Sequence, residues 1–192
     1  MDRRSNNIAI FQDSMDLIKA NQKLQQAVQF SIQNQKLYVP SQAIALPEPG
    51  ESSCKTIVSS KRSFEAASAY AKAGKRVCVL NFASATNPGG GVTRGSTAQE
   101  ECLCRCSTLY PCLDTETMWH QFYQPHRKAG DPRYNDDLLY TPEVVVFKTD
   151  TSAPERMEEK DWYQVDIITC AAPNLRKKPS NAMNPSAGNA PV

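Results

Sequence analysis

Two short clusters in this sequence have the composition of a reaction site: Gly89-Gly90-Gly91 and, seven residues later, Gln99-Glu100-Glu101. Glycine lets backbone approach a ligand closely and adopts positive φ without a Cβ clash. Placed between a buried strand and a helix N-terminus, such a turn offers free N–H groups to a phosphate. Carboxylates supply proton donors and acceptors for general acid–base chemistry. The glycines make no dinucleotide fingerprint, because the G-x-G-x-x-G spacing is absent, and no Lys-Ser/Thr pair follows as in a P-loop.

The acids also have a purely structural use, since negative charge is favourable at a helix N-terminus. With Thr97 as N-cap, Glu100 falls at N3 and completes a capping box, whereas Glu101 has no such task. Successive helix positions lie about 100° apart. With Cys102 at the middle of a packed stripe that includes Ala98, Cys106 and Leu109, Glu101 lies to one side and Glu100 points nearly opposite. The two acids are expected to have different roles rather than to form a symmetric dyad.

The remaining candidates have simpler readings. Cys102, Cys104, Cys106 and Cys112 suggest a metal site, but Cys102 and Cys104 point about 200° apart on a helix and cannot converge on one ion. Packing is the expected use of these thiols, with no metal and no cofactor. His120 and His126 sit in the aromatic segment Trp119-His120-Gln121-Phe122-Tyr123, where hydrogen bonding is favoured over acid–base work. Asp131 to Asp137 reads as a loop that could face substrate, although its acidity argues against phosphate contact. Arg176-Lys177-Lys178 reads as a solvated basic cluster, with polymer contact as the sharper alternative.

These residues need a scaffold, and the hydrophobic pattern supplies one. Ile8, Phe11, Met15 and Ile18 step by three and four, and Leu24, Val28 and Ile32 resume after Asn21, which predicts two helices. Lys36 to Glu51, with prolines at 40, 47 and 49, reads as a connecting loop. A strand is expected at Lys55–Ser59, then a helix over Ser63–Ala73 capped by Ser63 and ended by Gly74. The strand Arg76–Phe82 has a continuous apolar middle, as where both faces of a mostly parallel sheet are covered. A helix should begin near Ser96 or Thr97 and run to about Tyr110, with a second helical patch over Met118–Phe122. Further strands are expected at Glu143–Phe147 and Val165–Thr169. Alternating helices and buried strands indicate an α/β layer architecture.

At this level the chain resembles the poly(ADP-ribose) glycohydrolases, in particular their bacterial-type branch. The likeness rests on Asn87-Pro88-Gly89-Gly90-Gly91 followed at this spacing by Gln99-Glu100-Glu101. It extends over the N-terminal helices, the strand before the glycines, and the Thr-Pro-Glu-Val-Val-Val-Phe and Asp-Ile-Ile-Thr-Cys-Ala-Ala-Pro-Asn segments. The resemblance implies a macrodomain-like three-layer sandwich with a mixed central sheet, preceded by N-terminal helices. It also implies cleavage of the ribose–ribose O-glycosidic bond in poly(ADP-ribose), with ADP-ribose as product and the polymer or an ADP-ribosylated protein as partner. By the family pattern Glu101 is the catalytic carboxylate and Glu100 orients the ribose hydroxyls. Asn87, Gly89, Gly90, Gly91, Val92 and Gln99 are the implied substrate contacts. A non-catalytic ADP-ribose-binding module and an inactive truncated fragment are the competing readings.

Composition agrees with one folded unit. At 192 residues, with 40% hydrophobic and 22% charged positions, the chain can bury a core. With 22 Lys plus Arg against 20 Asp plus Glu, the net charge of +2 provides no broad field for a nucleic-acid backbone. No sequence-specific nucleic-acid binding and no membrane span are expected. Seven cysteines without an export signal suggest the cytoplasm. The expected division is an N-terminal helical region with its linker at 1–50, a partial macrodomain catalytic region at 51–178, and an irregular tail at 179–192. Because the resembling proteins continue with another helix, strand and glycine-rich loop, the C-terminal part of the fold is expected to be missing.

Overall fold

The computed structural model describes residues 2–42 and 54–174. Most of the expected linker, the Arg176-Lys177-Lys178 cluster and the 179–192 tail lie outside these residues. Helix α1 (Arg3–Ala20) starts at Asp2, whose carboxylate accepts from the Arg4 and Ser5 amides. It ends at Asn21, which also opens α2 (Gln22–Asn34) by accepting from the Lys23 and Leu24 amides. One asparagine therefore ends the first helix and caps the second, as the interrupted hydrophobic rhythm predicts.

Four strands form a mixed sheet in the order β1-β3-β4-β2. They are β1 (Lys36–Tyr38), β2 (Cys78–Phe82), β3 (Leu138–Val146) and β4 (Tyr163–Cys170). Only β2 and β4 run parallel, so the sheet is mixed, as the resemblance implies, and not mostly parallel as the apolar run of Arg76–Phe82 alone suggests. Val144 and Val146 enter the main core, while Val145 and Phe147 pack with Ile18 and Leu24 in a second cluster. Since neighbouring strand residues face opposite sides, helices cover both faces of β3. The main core also takes Phe11 of α1, Phe64 and Ala67 of α3 (Ser63–Lys72), and Leu103, Cys104 and Cys106 of α4 (Gln99–Cys106).

Several local readings change. Residues 36–38, read as loop, form the edge strand β1 on β3. Residues 55–59, read as a strand, form no element and are exposed. Strand β3 starts earlier than expected because it passes Pro142 through a bulge, where Glu143 takes φ 53°. Strand β2 is not covered on both faces: Val79 and Asn81 are buried, but Leu80 and Phe82 are 44% and 61% exposed. It is an edge strand among the described residues, and only one of its faces meets the core.

Helix α4 stops at Cys106 rather than near Tyr110, because Ser107 is extended and bridges to Val146. The chain then re-enters α5 (Leu109–Leu113). A tertiary strand contact thus cuts one expected helix into two. Further on, α6 (Glu116–Met118), a π-helical turn (Trp119–Tyr123) and α7 (Gln124–Ala129) run on as one helical segment. Helix α1 braces α4 from behind: the Ser14 hydroxyl donates to the Arg105 carbonyl at 2.7 Å, and the buried Lys148 ammonium donates to Ile10 O and pairs with Asp13.

Candidate active site

Strand β2 and the N-terminus of α4 set the acids and the glycine loop against each other. Beyond Phe82 the chain turns on Ser84, whose hydroxyl accepts from the Thr86 and Asn87 amides. Gly89 and Gly90 then take φ 60° and 59°, two consecutive left-handed residues that fold the loop back towards α4. A Cβ on Gly90 would lie 2.6 Å from Glu101 Oε1 and 3.0 Å from Glu100 Oε2. Glycine is required there by both conformation and space.

Both acids face this loop. The capping box is absent: the N-cap of α4 is Ala98, which places Glu100 at N2 and Glu101 at N3. Glu100 is 3% exposed, and its Oε2 accepts from the Ser84 amide at 2.8 Å. The expectation that Glu100 points away from the packed side is therefore overturned. Helix α4 is buried on nearly all sides, and Cys102, taken as the stripe centre, is half-buried while Leu103, Cys104, Arg105 and Cys106 are buried. Glu101 is 7% exposed, with Oε1 accepting from the Gly91 amide at 2.8 Å. Its Oε2 is buried with no hydrogen-bond partner. One carboxylate is pinned by strand-end backbone; the other keeps a free oxygen.

Burial pushes the Glu100 carboxyl up to about 8, the Ser84 amide opposes that rise, and the charge of Glu101 adds to it. Glu100 therefore keeps its proton at neutral pH. Because the native state holds this proton while the unfolded chain loses it near 4.5, stability contributed by Glu100 is complete below that value. It then falls as pH rises towards 8, by up to about 1.4 kcal/mol per pH unit. Glu100→Gln, which mimics the protonated form, should remove this slope. Denaturant unfolding should show the variant gaining on the parent between pH 5 and 8, with the two converging near pH 4. A parallel pH profile for both proteins would refute the buried-proton account.

The loop, the acids, Tyr134 and the 172–174 segment enclose an open cleft of about 620 Å³. Asn174 donates its amide to Pro132 O at 2.7 Å, joining the chain after β4 to the 131–137 loop. That loop contributes Tyr134, a left-handed residue with φ 58°. His126 supports the same loop: Nδ1 lies 2.7 Å from Phe122 O and Nε2 2.9 Å from Asn135 Oδ1. The histidine is a buried hydrogen-bonding post, and His120 is exposed on the helix surface. Among the described residues no group of His, Cys, Asp or Glu is arranged to hold a metal, and no helix is long and apolar enough to cross a membrane.

With this geometry in place, residues 8–149 match the family described as microbial-type PARG, catalytic domain. The chain belongs to that family. It is similar to the crystal structure of poly(ADP-ribose) glycohydrolase from Thermomonospora curvata, at 30% identity and a TM-score of 0.75 over 88% of this chain. The same enzyme bound to the inhibitor ADP-HPD matches at 30% identity and a TM-score of 0.67 over 88% of this chain and 64% of that one. The Deinococcus radiodurans enzyme in complex with ADP-ribose matches at 31% identity and a TM-score of 0.63, over 77% of this chain and 58% of that one. The chain thus spans less than two thirds of these relatives, 65% in the first case. No curated protein matches it.

Within this microbial-type PARG domain the implied substrate contacts divide into two groups. Asn87, Gly90 and Gly91 line the cleft, together with Glu100 and Glu101. Gly89, Val92 and Gln99 do not. Val92 is fully buried in the core, and Gly89 backs onto Tyr110 and Cys104. Gln99 has both ends of its amide occupied: Oε1 accepts from the Phe82 amide, and Nε2 donates to Leu80 O and Ser63 Oγ. It closes part of the free edge of β2 and ties that strand to α3 and α4. These three hold the loop and helix in place.

The residue sequence reasoning missed is Arg127. From α7 its Nε donates to Thr86 O and its Nη2 to Asn87 Oδ1, both at 2.6 Å, while the guanidinium lies 4.7 Å from the Trp119 ring centroid. It thereby fixes the approach to the glycines and occupies the Asn87 oxygen. No local motif marks an isolated arginine so distant in sequence from the loop it holds.

Proposed function

We propose that this chain carries the catalytic part of a poly(ADP-ribose) glycohydrolase, and that its cleft takes the terminal ADP-ribose of the polymer. The observation that carries this reading is Glu101: one oxygen pinned by the Gly91 amide, the other buried, unpartnered and beside a left-handed glycine loop. Burial keeps a proton on the neighbouring Glu100 at neutral pH, so Glu101 faces a neutral carboxyl group rather than a second charge. In its protonated form Glu101 donates from Oε2 to the leaving ribose oxygen as the anomeric C–O bond breaks, which leaves it a carboxylate. It then takes a proton from the water that attacks the oxocarbenium-like carbon. Glu100, held by Ser84, orients the ribose hydroxyls, and the backbone of Gly90 and Gly91 receives the ribose and diphosphate. Residues 51–178 carry these parts, and the seven free cysteines fit a cytoplasmic setting.

The test is release of ADP-ribose from purified poly(ADP-ribose) by the full chain, followed by chromatography, alongside calorimetric titration with ADP-ribose. Product release that scales with protein supports the proposal. Binding without release would instead assign a binding module. Neither binding nor release would overturn both.

A further inference from the structure

Helix α4 carries a second polar cluster, outside the cleft, for which the proposed hydrolysis has no use. Arg105 is 2% exposed, and among the described residues no carboxylate is within ion-pairing distance of it. Its Nη1 donates to Ser96 O at 2.6 Å and its Nη2 to Cys102 Sγ at 3.2 Å. Its Nε is buried with no partner. Arg62 approaches the same sulfur with Nη1 at 3.8 Å and lies 3.7 Å from Asp150. Cys102, Arg3, Arg62, Arg105 and Thr151 line a cavity of about 10 Å³, room for about one water-sized group.

A buried guanidinium with an unmet N–H is costly, and an anionic oxygen nearby would answer it with charge-assisted hydrogen bonds. The space is too small for a tetrahedral oxyanion such as phosphate but suits a single oxygen already attached to sulfur. Three arginines against the one carboxylate of Asp150 leave the cavity positive. Cys102 is half-buried, so a small oxidant can reach it.

We propose that Cys102 is a site of oxidation by hydroperoxides, with Arg62 and Arg105 holding the oxygen that the reaction adds. The sulfur attacks one peroxide oxygen, an S–O bond forms and the O–O bond breaks. The thiol proton leaves with the displaced oxygen as water, or as an alcohol from an organic peroxide. Sulfur is oxidised by two electrons to the sulfenic acid and the peroxide is reduced by the same two. The single oxygen of the sulfenate is the group that the two guanidinium groups would hold. The modification would sit directly after Glu101 and beside the Ser96 carbonyl that Arg105 holds, on the segment joining the glycine loop to α4.

The proposal is independent of the hydrolytic reading, because its test needs no ADP-ribose and no turnover. The full chain is treated with hydrogen peroxide, trapped with dimedone and mapped by peptide mass spectrometry. Cys170, also half-buried, and the exposed Cys54 and Cys78 serve as internal standards. Cys102 should react at least about fivefold faster than any of them, since cationic surroundings select reactive thiols. Arg62→Gln should slow Cys102 about threefold or more without changing Cys170, and Arg62→Lys should restore much of the rate. Labelling of Cys102 no faster than of the three standards overturns the proposal. So does an Arg62→Gln protein, folded by circular dichroism, in which the Cys102 rate is unchanged.

Discussion

Glu101→Gln is expected to lower ADP-ribose release from the polymer by about a thousandfold or more while leaving ADP-ribose affinity within about threefold, the size of loss associated with a general acid–base group. The amide is close to isosteric with the carboxylate. Its oxygen can keep the hydrogen bond from the Gly91 amide, which spans 2.8 Å to Oε1. Its nitrogen then stands where the unpartnered Oε2 stood, and it can neither give up nor take a proton at neutral pH. Loop geometry and helix packing are therefore retained, and only proton transfer is lost. If the cleft takes a diphosphate as proposed, loss of a carboxylate there also acts against any fall in affinity. Single-turnover assays and calorimetry on the same preparation separate the two effects. Retained turnover would remove Glu101 from the chemistry, whereas a parallel loss of binding would make it a structural support for the loop.

The contrast between the two acids shows where sequence reading reaches its limit. Helical periodicity locates α4 closely enough to separate Glu100 from Glu101. Its stripe gives only the direction in which each Cβ leaves the helix. Glu100 has two methylenes between backbone and carboxyl, and the Ser84 amide, itself placed by the turn after β2, draws that carboxyl into the core. That force originates in another element and has no local signature. Ser107 is a similar case: nothing in its neighbours forbids a longer helix, but its bridge to Val146 ends α4 at Cys106, short of Tyr110. Pro142 misleads in the opposite direction, since a proline argues against a strand unless a bulge absorbs it, and here Glu143 does so with positive φ. The glycine triplet, the Asn21 break and the turn at Gly74 are legible for a common reason. Each depends on the intrinsic conformational preference of the residue itself.

Gly90→Ala is expected to lower turnover about a hundredfold while costing about 1–2 kcal/mol of stability, the usual penalty for a Cβ in left-handed backbone. The asymmetry follows from what the new methyl meets. Its nearest neighbours are the carboxylate ends, Glu101 Oε1 at 2.6 Å and Glu100 Oε2 at 3.0 Å, rather than rigid backbone. Side-chain ends can swing away cheaply, so the fold survives. The swing withdraws Oε1 from the Gly91 amide and moves Oε2 with it, and displacement of a catalytic group by about 1 Å can cost about a hundredfold. Gly74→Ala supplies the comparison, because Gly74 has a similar φ of 73° but a Cβ there would meet nothing within 4 Å. That variant should lose comparable stability with turnover unchanged. Chemical denaturation and initial rates on both proteins decide the matter: equal activity losses would tie turnover to global stability, and an active Gly90→Ala protein would show that the acid pair tolerates displacement from the loop.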